Sequence, residues 1–182
     1  SNGQSWAKYV INSSGDIVVA GFYSGAEVMI NDNSTNDWPS SSCTFMFVAK
    51  LNINLQTEYL TNARSCSGGA SLEGLESDGN GNEFLLTSYS NPNSNPGLVF
   101  NNNGQYSSSS SKILRQTMNG ESCSGSGRNL AVSKVNSGSW QWAKQIGGQS
   151  KSYGADEGIL YKISSIYLLG NIIPCATDTT KM

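Results

Sequence analysis

Four cysteines, Cys43, Cys66, Cys123 and Cys175, carry the most reactive side chains of this 182-residue chain, and no histidine accompanies them. Their even number and the lack of any C-x-x-C spacing point to disulfides, because a mixed zinc site needs closely spaced cysteines together with histidine. Pairing the nearer neighbours gives Cys43–Cys66 and Cys123–Cys175, although the sequence leaves the other connectivities open. Without an imidazole, Ser-His-Asp and Cys-His nucleophilic sites are excluded. Gly120-Glu121-Ser122-Cys123-Ser124 starts like a nucleophile elbow, but its fifth residue is serine and no histidine is there to activate the hydroxyl. Neither phosphate-cradling glycine pattern, G-x-G-x-x-G or G-x-x-x-x-G-K-[ST], occurs.

Carboxylates are densest at Glu73, Glu76, Asp78, Glu83, Asp156 and Glu157, most of them in stretches predicted to turn. A glycosidase would need two of them facing each other across a sugar. Asp78-Gly79-Asn80-Gly81-Asn82 places oxygens at alternate positions as a calcium loop does, yet Glu83 stands where that loop needs glycine and Asn91 where it needs a bidentate acid. A tight hairpin explains the same residues. No catalytic residue, cofactor or metal site is expected.

Trp38, in Asn36-Asp37-Trp38-Pro39, is the tryptophan best placed to stack on a sugar, because it lies in a polar insert. Trp6, Trp140 and Trp142 lie in alternating segments, where core packing is the simpler role. The triplets Asn12-Ser13-Ser14 and Asn33-Ser34-Thr35 are N-glycosylation sequons.

The elements that must hold these residues are strands. Charged residues are 13% of the chain, and glycine, serine and asparagine fill the gaps between short apolar runs, as where many turns join many strands. The net charge of −2 and scattered lysines and arginines disfavour nucleic acid and acidic membrane surfaces. The best candidate for a spanning helix, Ile166-Tyr167-Leu168-Leu169, is broken by Gly170-Asn171 and Pro174, far short of the roughly 20 residues needed.

Short phrases return in one order. Val48-Ala49-Lys50-Leu51-Asn52 reappears as Val132-Ser133-Lys134-Val135-Asn136. Trp6-Ala7-Lys8 reappears as Trp142-Ala143-Lys144 and faintly as Glu58-Tyr59-Leu60. A strand after a Gly/Asn/Ser turn occurs as Ile17-Val18-Val19-Ala20-Gly21, Phe84-Leu85-Leu86-Thr87-Ser88 and Ile166-Tyr167-Leu168-Leu169-Gly170. The first two copies follow Asn12-Ser13-Ser14-Gly15-Asp16 and Asp78-Gly79-Asn80-Gly81-Asn82, both suited to hairpins. Inserts at 31–42 and 91–111 interrupt the pattern, the second containing one short strand at Leu98-Val99-Phe100.

These phrases, and most closely Trp142-Ala143-Lys144-Gln145-Ile146-Gly147-Gly148 with Ala155-Asp156-Glu157-Gly158, resemble the bacterial and protist β-propeller repeats called SBBP repeats. The resemblance implies antiparallel, blade-like sheets. About three units are visible, spanning approximately 1–65, 66–148 and 149–182, whereas a closed propeller takes about four to eight blades. The expectation is therefore an all-β, antiparallel repeat protein in one domain, its ring completed by diverged or further blades or by another chain. Val18, Val48, Leu85, Leu86, Val132, Ile146, Ile166 and Leu168 are expected in the core. The expected function is a non-enzymatic structural or adhesive module outside the cell or on its surface, working through protein–protein contacts and self-assembly into an oligomer or filament. The alternative is a secreted glycan-binding module that uses Trp38 and the insert loops.

Overall fold

The computed structural model describes residues 7–12, 14–23, 28–34, 43–66, 70–89, 98–100, 112–114, 129–146, 151–162 and 165–174. Among them there are strands and turns and no helix. The strands form several antiparallel sheets, none of them closed on itself.

The first sheet is built from β1 (Ala7–Ile11), β2 (Ile17–Tyr23), β5 (Cys43–Leu51) and β6 (Thr57–Cys66), each hydrogen-bonded to the next. A small hairpin, β3 (Met29–Ile30) and β4 (Asn33–Ser34), leaves it between β2 and β5. The second sheet repeats the plan with β7 (Ala70–Ser77), β8 (Asn82–Tyr89), β11 (Asn129–Asn136) and β12 (Ser139–Ile146). Its excursion, β9 (Leu98–Phe100) and β10 (Lys112–Leu114), leaves at the same place, between the second and third strands. That excursion reaches back to the first sheet, where β9 pairs with β6 and makes the order β1-β2-β5-β6-β9-β10. β13 (Lys151–Lys162) and β14 (Ser165–Pro174) form a further hairpin, and β13 runs beside β7 and β8.

Side chains alternate across a strand, so each sheet presents two faces. The inner faces of the two large sheets meet in one core that joins Val18, Met46 and Val48 to Leu85, Ala131 and Val135, with Trp140 and Phe100 at its far side. Trp140 is 2% exposed, donates its indole N–H to the Asn62 carbonyl at 2.9 Å and meets the Phe100 ring edge-on at 4.8 Å. The second sheet's other face packs Phe84, Leu86, Leu130 and Val132 against Trp142 and Ile166. The first sheet's outer face, Tyr23, Phe45, Phe47 and Ala49, is covered by Val28 and Ile30 from the β3–β4 excursion. Val18, Val48, Leu85, Leu86 and Val132 are thus buried as expected and Ile166 partly so, while the side chains of Ile146 and Leu168 lie outside the described residues.

Trp140 and Trp142 are two apart yet serve opposite faces. Lys134 pairs with Trp142 but Val135 with Trp140, leaving Gln141 as an extra, exposed residue. A β-bulge of this kind shifts the alternation by one. The same bulge recurs in the first sheet, where Lys50 pairs with Tyr59, Leu51 with Thr57, and Glu58 is the exposed extra residue. Repetition therefore extends beyond sequence phrases to a shared irregularity. The W-A-K phrase is a weaker guide, since Ala7-Lys8 lies in the first strand of its sheet and Trp142-Ala143-Lys144 in the fourth.

Three hairpins share one turn. Asn12, Asn52 and Asp78 each accept, on the side-chain Oδ1, the backbone N–H groups of the residues two and four positions on, at 2.8–3.1 Å. In each, the side chains of the first and fifth residues also join: Asn12 with Asp16, Asn52 with Gln56 and Asp78 with Asn82. The fourth residue always takes positive φ, Gly15 at 81°, Leu55 at 61° and Gly81 at 81°. Only glycine adopts that conformation without steric cost; a side chain there costs about 1–2 kcal/mol. Leu55 is 58% exposed and loses little by truncation. Leu55→Gly is expected to stabilise the fold by up to about 1 kcal/mol after allowing for the extra freedom glycine gives the unfolded chain, as measured by urea denaturation; a clearly lower midpoint would contradict the turn.

Candidate functional site

The residues singled out for chemistry fall in separate places. Asp78 belongs to its turn: both carboxylate oxygens are occupied, Oδ1 by the Asn80 and Asn82 amides and Oδ2 by the Asn82 side chain at 2.6 Å. Burial works against its ionisation, but these bonds and the charge of Lys134 outweigh it and hold the carboxyl below the ordinary range. Among the described residues no group of three or more Cys, Asp or Glu side chains is arranged to hold a metal ion.

Glu73 sits at a bulge in β7 between Leu72 and Gly74. It accepts hydrogen bonds from Ser71 at 2.7 Å and Ser88 at 2.5 Å, on the face of the second sheet that carries Leu86. Glu83 points to the opposite face, beside Leu85 and across from Val135. The two carboxylates are separated by the sheet. Glu76 and Glu83 also lie in strands, not in the turns expected for them; the hairpin Asp78–Asn82 is short enough to return both to the ladder. Asp156 and Glu157 fall where the β13–β14 register shifts between Gly154 and Gly158.

A charged cluster occupies one end of the core between the sheets. Lys50 projects from the core face of β5 and bridges Asp16 at 3.0 Å and Glu58 at 2.9 Å. The bond from Lys50, with that from Asn12, lowers the Asp16 pKa. Burial works against the Lys50 charge, but Glu58 and Asp16 outweigh it and raise its pKa. Tyr59, the cross-strand neighbour of Lys50, directs its hydroxyl toward Glu83, and burial followed by the charge of Glu83 strongly raises its pKa. Glu83 itself is 0% exposed, and neither carboxyl oxygen has a hydrogen-bond partner of normal geometry. Gly138, at positive φ in the β11–β12 turn, closes this end: a Cβ there would stand 2.9 Å from the Tyr59 Cβ. The cluster is not legible in the sequence, because strand pairing brings Asp16, Lys50 and Tyr59 together and only the stacking of the sheets adds Glu83.

Cys43 and Cys66 are directly opposite in the β5–β6 ladder, and Cys43 is not a free thiol. Opposed antiparallel residues have Cα atoms about 4.5–5.5 Å apart, within the range a disulfide spans. Cys123, Cys175 and Trp38 lie outside the described residues. Asn12 is 8% exposed with its amide committed to the turn, whereas Asn33 is exposed on β4.

Comparison with known proteins finds no matching family model, no similar curated protein and no similar solved structure.

Asp78→Ala removes two amide bonds and one side-chain bond from an ionised acceptor, and is expected to cost about 1–3 kcal/mol in thermal or urea unfolding. Because the folded-state pKa is depressed, this contribution is present above the ordinary carboxylate range and lost as pH falls through the folded value. The difference between wild type and Asp78→Ala should therefore shrink toward low pH; a constant difference would show that the charge contributes nothing.

Proposed function

We propose that this chain is a non-enzymatic structural or adhesive module, built of propeller-type blades, that works outside the cell by self-assembly. The observation that carries the reading is an apolar surface on the first sheet. Tyr9 and Ile11 on β1, Ile53 and Leu55 in the β5–β6 turn, and Met29 on the β3–β4 hairpin are 58–72% exposed around its outer face. Tyr9 stands opposite Val19, which packs on that face, and Ile53 lies over Gly15. Clustered apolar exposure of this kind marks contact surfaces.

The repeat says what kind of contact. Aligning Val48 with Val132, the outer face of the first sheet corresponds to the face with which the second sheet packs on the first. A repeat unit stacks on its neighbour through this face, so a second copy of the chain offers a partner of the right shape. Joining unlike ends of identical chains is a heterologous contact, which gives rings or filaments. Among the described residues β1 has a strand partner on one side only, so its other edge offers backbone groups for strand pairing. The glycan-binding alternative rests on Trp38 and the insert loops, and Trp38 lies outside the described residues.

Light scattering on unreduced protein tests the reading: a discrete oligomer or polymer is expected, reverting to monomer in the double substitution Ile11→Glu, Ile53→Glu. A wild-type chain that stays monomeric at high concentration would refute self-assembly. An extracellular setting is supported by the opposed cysteines, because disulfides persist in oxidising compartments. Peptide mapping of the unreduced chain should recover a Cys43–Cys66 crosslink; Cys66 joined to Cys123 or Cys175 would overturn this pairing.

A further inference from the structure

The core between the two large sheets is mostly apolar, but it also holds several polar side chains. Glu83 contributes a fully buried carboxyl, and the nearby Tyr59 hydroxyl, Thr61 hydroxyl and Ser133 hydroxyl on the same inner faces also lack hydrogen-bond partners in the protein. In the corresponding place of the first sheet the residue is Ile17, as the pairings Glu83↔Val135 and Ile17↔Leu51 show. The repeat thus has a hydrocarbon where the second sheet has an acid. An ionised carboxylate without bonds is among the most costly groups to bury, and such a group sheds its charge in place of its shelter.

We infer that Glu83 is a proton-operated latch between the two stacked sheets: while its carboxyl is neutral the sheets close over it, and loss of the proton loosens their contact. The inference does not depend on self-assembly.

The groups around Glu83 act in both directions, and burial prevails. From β6, Tyr59 offers a hydroxyl that a neutral carboxyl can bond as donor or acceptor, and Glu58 adds negative charge. From β5 comes Lys50, the one cation facing it among the described residues, already held by Asp16 and Glu58. From the β7–β8 turn comes Asp78, which repels the charged form. Burial is the largest influence and raises the Glu83 pKa; Tyr59 and Lys50 offset it in part. Glu76, on the opposite face across from Phe84, is also raised by burial and is the natural control.

The sign follows from linkage. A carboxyl whose folded pKa is raised leaves stability intact below its unfolded value and withdraws it as pH climbs through the folded one, about tenfold in the folding constant for each unit of elevation. With no histidine in the chain, no side chain of ordinary pKa near neutrality obscures that window.

The test is urea unfolding of the full chain between pH 5 and 8 for wild type, Glu83→Gln and Glu76→Gln. Wild type and Glu76→Gln should lose stability steeply as pH rises, Glu83→Gln should lose markedly less because only the Glu76 share remains, and amides of Met46–Val48 and Leu85–Thr87 in wild type should exchange faster at pH 8 than intrinsic chemistry dictates. A Glu83→Gln slope equal to wild type, or a flat wild type, overturns the latch. Should Glu83→Gln fail to fold, the carboxyl carbon of Glu83 followed by NMR in wild type decides: a midpoint above that of ordinary glutamates supports the latch, and one in the ordinary range overturns it.

Discussion

A twisted antiparallel sheet with apolar side chains on both faces has to be covered twice, and most of this fold follows from that requirement. Phe45, Phe47 and Ala49 alternate with Met46 and Val48 along β5, so both sides of the strand are greasy. Phe84 and Leu86 alternate with Leu85 in β8 in the same way. Strands of this kind belong between layers. The first sheet covers one face of the second, β14 contributes to the other, and the β3–β4 excursion covers part of the first sheet's outer face. At about 25 cal/mol per Å² of apolar area, face-to-face burial is the dominant stabilising contribution, and each sheet depends on its neighbour for it.

The bulges and turns are the local devices that make such stacking possible. The extra residues Glu58 and Gln141 let the fourth strand of each sheet send one residue to each side at its start, so that Thr57 anchors the β3–β4 excursion through Ile30 while Trp140 anchors β9 through Phe100. The three matching turns fix strand register by satisfying backbone amides with a side-chain oxygen, so the hairpins close without help from the core. Against this consistent background, Glu83 is an exception: it occupies a position where the other unit has isoleucine, with no hydrogen-bond partner of normal geometry.

How much of this was legible in the sequence depended on the range of the interaction. Alternation revealed the strands, including the short Leu98–Phe100, and Asn12–Asp16 and Asp78–Asn82 announced hairpins because their side chains act on their own backbone. The turn at Asn52 was harder to recognise in kind, since Leu55 occupies the position that glycine marks in the other two. Bulges were invisible: a single extra residue in a strand leaves composition unchanged. The return of β9 to β6 and the meeting of Lys50, Tyr59 and Glu83 are long-range, and nothing in the local pattern around Glu83 distinguishes it from a turn acid.

Two sheets of one plan stack through a defined pair of faces. Nuclear Overhauser contacts in the folded protein test this stacking most directly. Contacts from the Met46 methyl to Leu85 and Thr87, whose hydroxyl lies 3.6 Å from the Met46 sulfur, are expected together with contacts from the Trp140 ring to Phe100. Contacts from the Met46 methyl to Leu86 or Phe84 instead, on the opposite face of β8, would contradict the stacking from which the rest is argued.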